Sequence, residues 1–261
     1  MTAEQLESEF VACKGALQSY LLRITASVPD TEDIVQDTYL KAAEKLETFR
    51  GDSSVKTWLF AIATNLAKDN LRARKRWSEQ VTDIAKEAAH ADPDFFREAM
   101  DLKNTSPYAQ FEIKEHIAFC FTCIAKSLPL EQQLSLLLRE VYAFKLDEIA
   151  QILRNTLEMI KYYLHTGRTK MIELFDGRCA LVSKKGVCHQ CSELNGIYNP
   201  KQKFQEEAVK IELVKAAASS EKEHLFDLRM QVLRDIDPFT SPASALQLHH
   251  LAFNQRVMEN S

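Results

Sequence analysis

The sequence predicts an all-α protein, in which an N-terminal helical bundle and a helix-turn-helix domain are joined by a linker and followed by a helical C-terminal extension. Three observations support this fold class. Only 6 glycines and 7 prolines occur among 261 residues, whereas the helix-favouring residues Ala, Leu, Glu and Lys are abundant. Apolar residues recur at helical spacing along most of the chain. The hydrophobic fraction of 46% is sufficient for buried cores.

The first predicted domain, residues 1–76, is a bundle of consecutive helices. Asp30 or Thr31 is a suitable N-cap for a helix whose apolar positions are Val35, Tyr39, Ala42, Leu46 and Phe49. Gly and Ser interrupt the pattern at residues 50–54, which predicts a break. The next helix has an apolar face made of Leu59, Ile62, Ala63 and Leu66.

The rest of the chain divides into three parts. Residues 77–110 are predicted to be a linker with a short amphipathic helix around residues 95–102, because helical periodicity weakens there. Residues 111–176 regain that periodicity in four helices. The tight connection at residues 154–156 gives the last two helices the outline of a helix-turn-helix. Residues 177–261 form the extension, with a cysteine-containing loop followed by helices.

Charge and cysteine content restrict the classes of function. The net charge is −4, so contacts with nucleic acid must come from local basic patches. The N-terminus lacks the basic and apolar regions of a signal peptide, and no apolar stretch of about 18 residues occurs. We therefore expect a cytoplasmic protein without membrane insertion. Its 6 cysteines are then reduced thiols, metal ligands or redox switches.

A basic cluster with neighbouring aromatic residues closes the first domain. The cluster is opposed only by Asp69 and consists of Lys68, Arg72, Arg74, Lys75 and Arg76, with Trp58, Phe60 and Trp77 nearby. Basic side chains neutralise phosphates, and aromatic faces stack on unpaired bases, each stack contributing about 1–3 kcal/mol. Taken alone, the pattern favours a core tryptophan and a solvated helix end over nucleic-acid binding, because charge runs are common.

The residues 30–39, D-T-E-D-I-V-Q-D-T-Y, closely resemble the D-A-E-D-L-V-Q-E-T-F stretch of extracytoplasmic-function (ECF) sigma factors of bacterial RNA polymerase. Residues 49–59 resemble that family's F-R-G-x-S-x-x-x-T-W-L, and residues 62–72 continue in register. The resemblance implies a non-enzymatic factor that binds core RNA polymerase and promoter DNA. An anti-sigma factor is a further partner that the family suggests.

The resemblance also implies roles for individual residues. Asp33, Gln36 and Asp37 fall on the helix that docks on the clamp helices of the polymerase β′ subunit. A solvated amphipathic helix is the alternative for these three residues. The following helix opens the −10 promoter element and holds a flipped base. That role falls on Trp58, Asn65, Arg72, Arg74 and Arg76.

The second domain resembles the family's −35-reading domain more loosely. Gln133 replaces the usual arginine, and Ala143 replaces the glycine of the first turn. Arg154 stands in the second turn, where a left-handed conformation would cost about 1 kcal/mol. Tyr163 replaces an arginine of the recognition helix, so base readout by arginine is reduced. The expected DNA contacts of this domain are Lys161, His165, Arg168 and Lys170.

Two pairs of cysteines share the C-x2-C spacing of zinc ligands. Cys120 and Cys123 lie on a predicted helix, and Cys188 and Cys191 lie in a predicted loop. Four thiolates bind Zn²⁺ tetrahedrally when the chain brings two such pairs together. For Cys120 and Cys123 the alternative is a pair of small buried residues, because free cysteine is commonly buried. The sequence leaves both interpretations open.

Three functional hypotheses follow. The first is a sigma factor that directs promoter-specific initiation. The second is a metal- or thiol-responsive, partly degenerate sigma-like regulator whose tail controls the DNA-binding domain. The third is a relative that binds polymerase but reads no −35 element. An enzyme is the least supported class, since the sequence has no P-loop, nucleophile elbow or Gly-rich nucleotide motif.

Overall fold

The computed structural model describes residues 1–72, 74, 76–105, 113–178, 222–241 and 244–260. Every regular element in these ranges is helical, so the predicted all-α class is confirmed. The α-helices are α1 (Ala3–Thr25), α2 (Val28–Glu44), α3 (Val55–Leu71), α4 (Val81–Ala91), α5 (Pro93–Thr105), α6 (Ile113–Ala125), α7 (Leu130–Leu136), α8 (Leu146–Leu153), α9 (Leu157–Arg178), α10 (Lys222–Arg234) and α11 (Ser244–Asn260). None of these helices is long and apolar enough to cross a membrane.

The chain forms two compact units that do not follow the order of the sequence. The first unit contains residues 1–75 and 129–167, and the second contains residues 76–128 and 168–261. The three-helix bundle α1–α3 therefore shares a unit with α7, α8 and the first half of α9. Each unit has its own buried apolar core.

Helix α2 begins one turn earlier than the sequence predicts. Its N-cap is Ser27, whose hydroxyl accepts a hydrogen bond from the backbone N–H of Asp30 at 3.3 Å. The predicted cap at Asp30 or Thr31 was wrong. Pro29 lies in the first helical turn, where proline is tolerated, so the helix can begin before it with Ser27 as the cap. The helix also ends before Phe49, and a short 3₁₀ turn, Leu46–Thr48, follows it.

The bundle α1–α3 is held by large side chains that are almost completely excluded from water. They include Leu17, Tyr20, Leu21, Leu59 and Phe60. The buried Tyr20 hydroxyl lies 2.9 Å from the Thr64 hydroxyl, which satisfies both groups. Burial raises the pKa of Tyr20 well above its ordinary value, so the phenol stays neutral.

The helix-turn-helix is formed by α8, a tight turn and α9. Arg154 takes the left-handed conformation predicted for the second turn, with φ 51°, and Ala143 does so in the first turn, with φ 57°. Gly167 allows α9 to approach α7 closely, because a Cβ atom there would lie 3.0 Å from Leu136 Cδ1 and 3.2 Å from Gln132 Cβ. The two positive φ angles place non-glycine residues where the family resemblance suggests glycine.

The second unit combines α4–α6 and the end of α9 with the two extension helices. Residues 77–110, predicted as a linker with one short helix, contain both α4 and α5. Trp77 Nε1 donates to Gln255 Oε1 at 3.1 Å, and Phe95 lies 4.4 Å from Phe253 between ring centroids. These contacts join α11 to the region before α6, a long-range pairing that local periodicity does not reveal.

Candidate functional site

An acidic surface lies on the exposed side of α2. Thr31, Ile34, Val35, Thr38 and Ala42 are the buried positions of this helix. Asp33, Gln36 and Asp37 are all exposed, and their spacing places them on one helical face. Leu40 continues this face one turn further and keeps 49% of its surface exposed. We call Asp33, Gln36, Asp37 and Leu40 the α2 face.

Sequence reasoning missed Leu40, although its spacing of seven residues from Asp33 points to the same face. A large apolar side chain beside three polar ones is a common composition for a protein-binding surface. Val11 on α1 is a second exposed apolar residue in the first unit, at 65%. The α2 face can therefore offer both charge and apolar area to a partner.

Helix α3 positions the aromatic and amide groups that were assigned to the −10 element. Trp58 is half-buried, and its ring lies 4.9 Å from that of Phe49 between centroids. Asn65 is also half-buried, and its side-chain N–H donates to the Ala61 carbonyl of the same helix at 2.8 Å. Both side chains are thus anchored to neighbouring groups while keeping part of their surface accessible.

The three arginines of the basic cluster are placed in different ways. Arg72 is 81% exposed and pairs with the exposed Asp69 at 3.2 Å. An exposed ion pair of this kind contributes little to stability. Arg74 instead makes two hydrogen bonds to Asp30, at 2.9 and 3.1 Å. Arg76 donates to the Leu128 carbonyl at 2.9 Å and to the Ala125 carbonyl at 3.3 Å. Arg72 is therefore the arginine most accessible to a phosphate.

The pairing with Arg74 affects the pKa of the Asp30 carboxyl group. Burial alone would raise the pKa of Asp30, but hydrogen bonds from Ser27, Arg74 and Asn70, together with the Arg74 charge, lower the pKa below its ordinary value. The carboxylate therefore stays charged at neutral pH. The Arg74–Asp30 pair ties the end of α3 to the first turn of α2.

The residues assigned to −35 recognition divide into two groups. Lys161 and His165 are exposed on the first half of α9. The apolar Met159 and Tyr162 are exposed beside them, at 37% and 55%. Helix α9 therefore presents a mixed polar and apolar surface at its N-terminal half, which is the part of a recognition helix that reads base edges.

Arg168 and Lys170, the other two residues of this set, are paired with carboxylates. Arg168 Nη2 lies 2.6 Å from Asp227 Oδ1, and its guanidinium lies 4.7 Å above the Phe226 ring. Lys170 Nζ lies 3.2 Å from Glu79 Oε1. Asp227 and Phe226 belong to α10 of the C-terminal extension, so the extension occupies one of the predicted DNA contacts.

The cysteines of the proposed zinc site are only partly described. Cys123 on α6 is fully buried, and Asn254 Nδ2 lies 3.5 Å from its sulfur. Cys120 is half-buried on the same helix. Cys188 and Cys191 lie outside the described residues. Within the described part of the chain, no three His, Cys, Asp or Glu side chains are grouped as metal ligands. The four-cysteine site stays a prediction.

Comparison with known proteins identifies the first domain. Residues 10–77 match the family model described as Sigma-70 region 2. The chain is 29% identical over 134 residues to RNA polymerase sigma-H factor of Pseudomonas aeruginosa, which covers 51% of this chain and 67% of that protein. It is 33% identical over 124 residues to ECF RNA polymerase sigma-E factor of Escherichia coli K12, which covers 48% of this chain and 62% of that protein.

A search of solved structures returned two sigma factors at low similarity. One is the sigma factor RpoE of Bartonella quintana in complex with the anti-sigma factor NepR, with a TM-score of 0.45, 19% identity, and coverage of 67% of this chain and 98% of that one. The other is the Mycobacterium tuberculosis ECF sigma factor SigJ, with a TM-score of 0.40, 18% identity, and coverage of 73% and 61%. The curated sigma-E relatives are matched over less than two thirds of their length.

Proposed function

Because the chain carries a sigma-70 region 2 domain and is related to ECF sigma factors, we propose that it binds core RNA polymerase and directs promoter-specific transcription initiation. The observation that carries this proposal is the α2 face. Asp33, Gln36 and Asp37, which match the docking helix of the family, are exposed together on one side of a helix whose other side is buried.

The proposed mechanism consists of binding steps and involves no covalent chemistry. The α2 face docks on the polymerase through its carboxylates and through the apolar surface of Leu40. Arg72 contacts the DNA backbone near the −10 element, where a neutralised phosphate releases counterions. Trp58 and Asn65 lie on the same helix and can support an unstacked base, which offsets the cost of flipping it.

Recognition of the −35 element is proposed for the exposed half of α9. Lys161 and His165 supply contacts to phosphates and base edges, and Tyr162 supplies an apolar contact surface. Since residues 157–167 of α9 contain no arginine, we expect weaker sequence discrimination at −35 than at −10. An anti-sigma factor and a cytoplasmic location complete the proposal, as the relationship to ECF sigma factors suggests.

Transcription reconstituted from purified components tests this function. Core RNA polymerase is mixed with the full-length chain and a library of promoter fragments, and run-off transcripts are sequenced. We expect transcripts that depend on the added chain and share a common upstream sequence. Polymerase that neither retains the chain on a column nor starts transcripts with it would refute the proposal.

A further inference from the structure

The side of α9 that faces outward is fixed by the side that packs inside the protein. Ile160 is completely buried, and Gly167 lies against Leu136 of α7. Two residues along an α-helix correspond to a rotation of about 200°. Glu158 and Tyr162 are each two residues from Ile160, so they lie on the opposite side of the helix, and both are exposed. Glu158 therefore belongs to the outward surface of the predicted recognition helix.

Other residues perform the structural tasks at the start of α9. The Thr156 hydroxyl accepts a hydrogen bond from the backbone N–H of Met159 at 3.3 Å, and so caps the helix. The Asn155 side chain accepts a hydrogen bond from the backbone N–H of Thr156 at 3.0 Å, which holds the preceding turn. Among the residues that the structure describes, none forms a hydrogen bond or an ion pair with the Glu158 carboxylate. This carboxylate is therefore available to a ligand.

The charges around Glu158 restrict the kind of group that it can bind on DNA. Arg154 in the turn before α9 and Lys161 one helical turn further are exposed cations, which attract phosphates and set the orientation of the helix. Phosphates repel the Glu158 carboxylate, so it can gain only from a hydrogen-bond donor on a base edge. Cytosine presents its N4 amino group in the major groove, and a carboxylate is the matching acceptor. Adenine also has an amino group there, but its neighbouring N7 acceptor repels a carboxylate.

We infer that Glu158 determines sequence specificity by selecting one cytosine in the −35 element, whose N4 amino group donates a hydrogen bond to the carboxylate. The inference rests on the proposed function. The N-terminal residues of a recognition helix are the ones that contact base edges, and Glu158 is the second residue of α9. Residues 157–167 contain no arginine that could read guanine. The strongest base preference of this helix is therefore expected at the cytosine that faces Glu158.

A purely structural role of Glu158 would have a different consequence. An acidic residue in the first turn of a helix stabilises that helix by its attraction to the positive end of the helix dipole. Such a role affects folding and leaves the base preference unchanged. Asp147 is an exposed acidic residue in the first turn of α8, and the first helix of a helix-turn-helix crosses the DNA backbone instead of reading bases. Asp147 therefore provides a matched control for the effect of charge at a helix start.

The variant Glu158→Gln tests the inference through a change of base preference. The full-length chain is combined with core RNA polymerase and double-stranded promoter fragments whose −35 element is randomised, and the transcribed fragments are sequenced. For the wild type we expect a preference of about fivefold for cytosine at one position, the lower limit for a specific base contact because only one hydrogen bond forms. Glutamine pairs with adenine through N6 and N7. In Glu158→Gln the preferred base at that position should therefore change from cytosine to adenine.

Two further variants separate base reading from charge and from folding. Glu158→Ala removes the acceptor without supplying a new partner, so the cytosine preference should disappear and no other base should replace it. Asp147→Asn removes the same charge as Glu158→Gln at the start of α8, and its preferred −35 sequence should match that of the wild type. Circular dichroism checks that each variant retains its helices.

The inference is overturned if Glu158→Gln and the wild type select the same −35 sequence, or if the wild type selects no cytosine at any position there. Failure of the proposed function is distinguishable, because the wild-type chain would then support no transcription from any fragment. In that case the same fragments are selected by binding to the immobilised full-length chain without polymerase. A change from cytosine to adenine between wild type and Glu158→Gln would still support base reading by Glu158, and identical selected sequences would overturn it.

Discussion

Arg74 is expected to stabilise the fold, in contrast to Arg72, which is expected to contact DNA. Arg74 makes two hydrogen bonds to Asp30, and the two side chains are only 29% and 20% exposed. Exposed ion pairs contribute about 0.2–1 kcal/mol, whereas breaking a buried pair costs about 3–5 kcal/mol. A partly buried, bidentate pair with charge-assisted hydrogen bonds lies between these limits. We therefore expect a coupling free energy of about 1–2 kcal/mol.

A double-mutant cycle measures this coupling. The variants are Arg74→Ala, Asp30→Ala and the combination, and the free energy of unfolding is obtained from urea titrations of the full chain. Arg72→Ala is the control, and it should change stability by less than about 0.5 kcal/mol because its side chain is exposed. In promoter-binding assays Arg72→Ala should have the larger effect of the two arginine variants. It should reduce the slope of log binding constant against log salt concentration by about 0.9.

The pH dependence of the coupling has a defined sign. Because the folded-state pKa of Asp30 is lowered, the stabilisation is fully present above the ordinary carboxyl pKa of about 3.9. It is lost as the pH falls through the folded-state pKa. A coupling below about 0.3 kcal/mol at pH 7, together with a loss of DNA affinity in Arg74→Ala as large as in Arg72→Ala, would refute the structural role of Arg74.

Three further predictions concern the other surfaces. Asp33→Arg combined with Asp37→Arg should abolish retention by core polymerase with an unchanged circular dichroism spectrum, because like charges at an interface are costly; retention at the wild-type level would contradict the assignment of the α2 face. Glu223 and Asp227 of α10 pair with Arg168 at 3.4 and 2.6 Å. Glu223→Gln combined with Asp227→Asn should release Arg168 and steepen the dependence of log DNA affinity on log salt by about 0.9. An unchanged slope would mean that Arg168 makes no phosphate contact. Elemental analysis of protein purified without added metal should find about one zinc per chain, and none in Cys188→Ser combined with Cys191→Ser; zinc-free wild-type protein would leave Cys120 and Cys123 as packing residues.

The sequence was most informative where local signals determine local structure. The left-handed conformation of Arg154 is expected because the family that the chain resembles has a glycine in this turn, and it is present in the structure. The exposure of Asp33, Gln36 and Asp37 follows from helical periodicity. Helix α2 nevertheless begins at Val28, because Ser27 was overlooked as a cap in favour of two residues that have other partners.

Long-range pairings were not accessible from the sequence. Helix α4 was missed because its interval reads as weakly periodic. Helix α11, more than one hundred residues further along the chain, packs against it, with Ala89 and Phe253 in one apolar cluster. The pairing of Arg74 with Asp30 spans 44 residues. A run of arginines gives no indication of which members will meet a carboxylate, since that depends on how the helices pack.

The departures from the family resemblance acquire a common explanation in the structure. Considered as parts of a DNA-reading domain, Gln133 and Ala143 look like losses, since a charge and a flexible turn are missing. Considered as parts of a surface that packs on α1 and α3, they are favourable. The neutral amide of Gln133 can be buried where a guanidinium cannot. Ala143 connects Tyr142 and Phe144, whose rings contact Phe60. A left-handed alanine costs about 1 kcal/mol, and the burial of Tyr142 and Phe144 against the bundle can offset that cost. The first turn therefore depends on its packing against α1 and α3.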